Sequence, residues 1–354
     1  MFYRENGQFK SSYRADMQML PLLQDRVFML AVAAFAFIVL PFVASDYLFL
    51  SLLIPFLILT LAAIGLNILV GYCGQISIGH AAFMAVGAYS AYNLALRVPQ
   101  LNFLVVLVLA GLIAALVGML FGIPSLRIKG LYLAVATLAA QFFIDWLFAR
   151  VKWFTNHSTS GSVSTAPVEL FGWIVDTPVE KYVFLLALLI VFTVLAKNLV
   201  RGHIGREWMA MRDMDVAAEV IGIRPVYAKL TAFGISAFYC AVAGALWGFV
   251  HLGSWEPLAF SLTLSLNLLF MIIIGGMGSL LGCYFGAAFI VVLPIFLDQA
   301  PLWLGIGIST ATASHLALMI FGALIVFFLI VEPHGLARLW AIARQKLRLW
   351  PFPH

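Results

Sequence analysis

Ten apolar runs, each close to the length needed to cross a bilayer as a helix, recur along this 354-residue chain, near 27–44, 48–70, 73–95, 101–124, 131–149, 182–200, 227–250, 258–274, 280–297 and 311–331. Crossing about 30 Å of hydrocarbon takes ~20 mostly apolar residues, because a helix pairs its backbone amides internally where there is no water to do so. The runs predict an all-α, polytopic membrane helix bundle of about ten transmembrane helices. Composition removes the soluble alternative. The chain is 64% hydrophobic and 10% charged, against roughly 25% charged residues in soluble domains, which leaves too little polar side chain to cover a water-facing surface.

An even number of spans puts both termini and every second loop on one side of the membrane. Sixteen of the twenty lysines and arginines fall on that side, and only Arg97, Arg150, Lys152 and Lys181 on the other. By the positive-inside rule both termini are cytoplasmic. The first run follows a 26-residue polar head and reads as an uncleaved helix. The chain then divides into a cytoplasmic N-terminal tail (1–26), a membrane domain (27–331) and a cytoplasmic C-terminal tail (332–354). Within the membrane domain lie an external loop at 150–181 and a longer cytoplasmic loop at 201–226. Gly275, Gly276 and Gly278 mark either a cytoplasmic turn or a break within a helix.

Ionisable groups at membrane depth are costly and are kept where they work as relays or ligands. Here Asp46, Asp145, Glu256, Asp298 and Glu332 all sit near predicted helix ends, so proton or sodium coupling lacks its usual residues. No Gly-Lys dipeptide occurs, so the chain has no phosphate-cradling P-loop of its own. Cys73, Cys240 and Cys283 are scattered through apolar stretches and read as packing residues, with no metal site indicated.

Three segments stand apart. The first, from Gly65 to Gly87, sets Asn67, Gln75, Ser77 and His80 among glycines in an otherwise apolar run. Polar groups there need partners or water, so the set either lines a pathway or packs with its polar groups satisfied internally. Ser77 and His80 also invite a serine-hydrolase reading, but no third orienting group is evident. In the second segment, 202–225, charge alternates with apolar residues at helical spacing, which predicts a short amphipathic helix. From Arg206 to Glu219 there are two arginines against four acids, which suits docking to a soluble partner better than lying on a bilayer. In the third, Gly278, Gly282 and Gly286 repeat every four residues and predict a flat helix-packing face.

Taken together, Gly65-Leu-Asn-Ile-Leu-Val-Gly-Tyr-Cys-Gly-Gln-Ile-Ser-Ile-Gly-His80, Gly205-Arg-Glu-Trp-Met-Ala-Met-Arg-Asp213 and Gly275-Gly-Met-Gly-Ser279 resemble the permeases of branched-chain amino acid ABC importers, over about residues 45–335. The resemblance implies a permease subunit of the bacterial inner membrane that is not itself an enzyme and binds no cofactor. ATP and Mg would bind in two partner ATPases, beside a second homologous permease and a periplasmic substrate-binding protein. It places Ala217, Ala218 and Gly222 in the loop motif that seats a coupling helix in an ATPase, although Val216 stands where the motif opens with glutamate. Arg206, Trp208, Arg212, Asp213 and Asp215 would share that contact, with Trp208 as its buried anchor, and Asn67, Gln75, Ser77 and His80 would lie near the translocation path. The same machinery serving urea, short amides or aromatic acids, or a membrane assembly subunit without transport activity, are the competing readings.

Overall fold

The computed structural model describes residues 11–12, 23–128, 130–158, 161–170, 172–303, 316, 319–320, 322–327, 330 and 335–349. Among them eight helices are long and apolar enough to cross a membrane. They are α1 (Arg26–Val43), α2 (Asp46–Tyr72), α4 (Phe103–Leu126), α5 (Leu131–Arg150), α6 (Pro178–Arg201), α9 (Pro225–Leu252), α10 (Pro257–Gly275) and the apolar part of α11 (Leu280–Trp303). A further long helix, α3 (His80–Arg97), is less apolar because it carries His80, Asn93 and Arg97. Between α6 and α9 lie the short α7 (His203–Asp213) and α8 (Asp215–Val220), and the last described element is α12 (Leu336–Leu349). The run expected at 311–331 falls largely outside the described residues, as do Lys129 and most of the N-terminal tail.

Local chemistry sets the helix starts. The Asn102 side chain accepts from the Leu104 amide at the head of α4, and Thr177 and Glu180 form a reciprocal capping box at the head of α6. Two short antiparallel ladders join the connections at one end of the bundle. Val163–Ser164 (β1) pairs with Ser254–Trp255 (β4), and Val168–Leu170 (β2) pairs with Trp173–Val175 (β3).

α9 is the centre of the bundle: 83% of its apolar window is buried, whereas none of the window of α1 is. Lipid gives apolar helices little reason to associate, so close backbone approach has to hold them together. Gly87 of α3 presses on the backbone of Ala241, and Gly244 of α9 presses on that of Met84, so each helix supplies the gap the other fills. Gly65 of α2 sits against the side chains of Tyr239 and Cys240 and the carbonyl of Ser236. Cys73, Cys240 and Cys283 are free and buried in this packing.

The glycine cluster after α10 resolves into a turn. α10 ends at Gly275, the chain turns through 276–279, and α11 runs unbroken from Leu280. Gly282 and Gly286 pack on the backbone of Gly275 and Met271, as the flat face predicts. Gly278 does not share that face. It lies in the turn with φ +76°, a conformation in which an L side chain is strained, so its role is to turn the chain.

Candidate translocation and coupling site

The run expected at 73–95 is helical only from His80. α2 ends in a π turn, Ile68–Tyr72, and the backbone then leaves the helix for residues 73–79 before α3 begins at His80. A wider turn of this kind inside a helix often marks a functional position. Gly74, at φ +71°, starts the break, and the Gln75 amide closes back on the Leu69 carbonyl at 3.1 Å.

Hydroxyls and one imidazole hold the break. Ser236 Oγ donates its single proton to the Gly65 carbonyl at 2.6 Å, so at its 2.8 Å contact with His80 it must accept from Nε2–H. Nδ1 of that neutral ring is therefore left to accept from Ser77 Oγ, also at 2.8 Å. The chain of proton donation runs Ser77, His80, Ser236, Gly65, and ends on a backbone carbonyl with no carboxylate behind the histidine. Ser77 and His80 are both buried. This arrangement orients backbone and does not activate a nucleophile, so the hydrolase reading finds no support in the geometry.

A helix that starts inside a bundle exposes amides that water cannot reach, and each needs a partner. Here other helices supply them. The Ile78 amide donates to Thr137 Oγ1, the Ala81 amide to Ser265 Oγ and the Ala82 amide to Gln141 Oε1, at 3.0, 2.8 and 2.7 Å. Gln141 is saturated: Oε1 also accepts from Ser265 Oγ, while Nε2 donates to Asp145 Oδ1 and to the Phe260 carbonyl. Thr137, Gln141, Ser236 and Ser265, none of them singled out by sequence, thus hold this segment together with Ser77 and His80. Their signal was a lone polar residue in an apolar run, with a partner 59 to 184 positions away.

Asn67 has a different task from its neighbours. Its Oδ1 accepts from the Gly278 amide at 2.9 Å, and its Nδ2 donates to the Ser279 carbonyl at 3.0 Å, so the end of α2 is tied to the α10–α11 turn. Arg212 of α7 joins the same junction, with Nη1 donating to the Gly71 carbonyl at 3.0 Å while Nε and Nη2 hold Asp213 Oδ1. Its aliphatic stem fills the space beside Gly74, where a Cβ would lie 2.9 Å from Cγ. Of the four pathway candidates, Asn67, Ser77 and His80 are engaged within the chain, whereas Gln75 Oε1 is buried without a hydrogen-bond partner among the described residues. Gly74 and Ile76 on either side of it are exposed.

The loop candidates divide by exposure. Trp208 is 0% exposed, and its indole N–H donates to Thr231 Oγ1 at 3.2 Å, so it anchors α7 to α9 inside this chain and offers no surface to a partner. Arg206, Asp213 and Ala217 are exposed, Asp215 is partly so, and Ala218 is buried. Gly222 ends α8 in a Schellman motif: the Ile223 amide donates to the Ala218 carbonyl and the Gly222 amide to that of Glu219, with Gly222 at φ +92°. Nothing lies within 4 Å of a Cβ built there, so the turn and not crowding calls for glycine. Around this cap Met214, Val216, Val220 and Ile221 are 68, 67, 83 and 74% exposed, apolar side chains carried outside the bundle.

A polytopic helix bundle in which two long helices, α2 and α3, are joined by a non-helical segment held by buried polar side chains fits a membrane transport protein. The chain belongs to the family described as branched-chain amino acid transport system / permease component, whose model matches residues 48–329. It is a multi-pass inner-membrane protein. Among curated relatives, the high-affinity branched-chain amino acid transport system permease proteins LivM of Salmonella typhimurium and Escherichia coli are each 29% identical over 318 residues, covering 83% of this chain and 70% of theirs. A probable branched-chain amino acid transport permease protein LivM of Methanocaldococcus jannaschii is 23% identical over 238 residues, covering 65% of this chain and 66% of its own. No solved structure matches the chain.

Proposed function

We propose that this chain is a permease subunit of an ATP-driven importer and forms, with a second homologous permease, the path for branched-chain amino acids across a bacterial inner membrane. It has ten spans with both termini cytoplasmic. Two cytoplasmic ATPases bind ATP and Mg, and a periplasmic protein delivers the substrate and supplies most of the affinity.

The observation that carries this reading is the exposed apolar stretch Met214, Val216, Val220 and Ile221, on a loop whose Arg212 reaches the break in the bundle. Large apolar side chains outside lipid favour a partner that removes them from water, at about 1.5–3 kcal/mol for each fully buried side chain. Arg206, Asp213, Asp215 and Ala217 surround that stretch as the polar part of the ATPase contact, with Ala218 and Gly222 shaping it. Closure of the ATPases moves α7 and α8 together. Arg212 carries the displacement to Gly71, and Asn67 carries it on to the α10–α11 turn, so one motion reaches both the α2–α3 connection and the α10–α11 turn. The path runs along the face that presents Gly74, Gln75 and Ile76, while Ser77, His80 and Asn67 fix the backbone around it.

The test is uptake. In cells lacking this chain, accumulation of labelled leucine, isoleucine and valine at low external concentration is expected to fall to background and to return with the wild-type gene. Retained uptake of all three, with loss of urea, a short amide or an aromatic acid instead, overturns the substrate assignment and leaves the importer standing.

A further inference from the structure

α12 also carries exposed apolar side chains outside the spanning helices, and its charge is opposite to that of α8. Leu336, Trp340 and Ala343 recur at four- and three-residue steps, so they share one face of the helix, with Leu339 at its edge. Arg344 and Lys346 flank that face, Arg338 lies across from it, and Arg348 follows in sequence. No aspartate or glutamate occurs from Gly335 to the end of the chain. The stretch around α8 instead contains Asp213, Asp215 and Glu219.

The start of α12 is fixed to the bundle. Gly335, at φ +75°, rests on the backbone of Gly275 and Gly276, closer than any side chain would allow. The Trp340 ring meets that of Phe285 on α11 at 5.9 Å. Leu339, Trp340 and Ile342 remain exposed even so. A helix that pairs an apolar face with basic flanks and carries no acid suits a surface that is apolar beneath and anionic above. A folded protein partner would need matching shape, whereas a leaflet needs only opposite charge over accessible hydrocarbon.

We propose that α12 docks on the anionic phospholipid headgroups of the leaflet beside the α10–α11 turn, with Leu339 and Trp340 inserted among the acyl chains. The helix then holds at the membrane surface the same turn that Asn67 binds from α2. This inference concerns lipid binding by the chain itself, so it does not depend on the importer assignment.

The full-length Leu339→Cys protein, labelled with a nitroxide, is reconstituted into vesicles of phosphatidylcholine alone or mixed with phosphatidylglycerol. The buried Cys73, Cys240 and Cys283 are checked by mass spectrometry to remain unlabelled. In the mixed vesicles the label is expected to gain contact with oxygen and lose contact with a water-soluble nickel chelate. High salt, or Arg344→Gln with Lys346→Gln, should reverse that change, while unaltered gel-filtration behaviour shows that the variant is folded. Equal accessibility in both lipids, or protection that arises only when another protein is added, overturns the proposal.

Discussion

Gly87→Val is expected to remove the folded protein from the membrane. The Cβ of any side chain at Gly87 would collide with the main chain of Ala241, and no rotamer change relieves a clash with backbone. The reciprocal contact of Gly244 on Met84 locks the same crossing of α3 and α9. Separating the two helices opens the centre of the bundle, so the cost is set at or above the upper end of ordinary overpacking, about 3 kcal/mol. It also strains the His80–Ser236 bond, which spans that crossing. Nothing lies within 4 Å of a Cβ built at Gly322, which serves as control. Monodisperse protein extracted in mild detergent should be lost for Gly87→Val and Gly244→Val and kept for Gly322→Ala. Wild-type yields for all three contradict the close α3–α9 packing.

Arg212→Ala is expected to separate ATP hydrolysis from uptake. Its guanidinium is bonded to Asp213 on its own helix and to Gly71 across the gap, so its removal leaves the exposed apolar stretch of α8 untouched but cuts the tie to α2. A hydrogen bond from a charged donor contributes about 1.5–3 kcal/mol, which corresponds to a roughly ten- to hundredfold fall in coupled uptake if the tie transmits the stroke. Hydrolysis by the assembled complex should persist. Arg212→Lys keeps one donor and the charge and should fall between wild type and alanine. Uptake and hydrolysis measured on the same proteoliposomes decide it, and a parallel loss of both places Arg212 in assembly instead of transmission.

The spanning helices were legible because lipid demands internal pairing of every amide, so apolar length alone predicts them. The interruption at 73–79 was not, since Gly74, Gln75 and Ser77 sit among enough apolar residues to keep the run hydrophobic, and nothing local says that Thr137, Gln141 and Ser265 wait on other helices to satisfy the freed amides. Periodicity likewise identified α7 as amphipathic without saying what covers its apolar side. Trp208 turned inward onto Thr231, and the exposed apolar side chains lie further along the chain, at Val220 and Ile221. Gly278 misled for a related reason, because four-residue spacing carries meaning only within a helix and α11 begins two residues later. Sequence singled out Asn67 for the translocation path and Arg212 for the ATPase contact. That the two meet at the end of α2, one through Gly278 and the other through Gly71, appears only once the chain is folded.

Whether α8 presents the docking surface for an ATPase is decided by solubilising native membranes in mild detergent and asking which proteins accompany the tagged chain, as wild type and with Val220→Asp and Ile221→Asp together. Both residues point away from the fold, so the variant should be extracted in normal amount. Wild type should bring down a nucleotide-binding ATPase and a second permease, and the variant should keep the permease and lose the ATPase. A wild-type chain recovered without any ATPase, under conditions that preserve other membrane complexes, rules out α8 as an ATPase-docking surface.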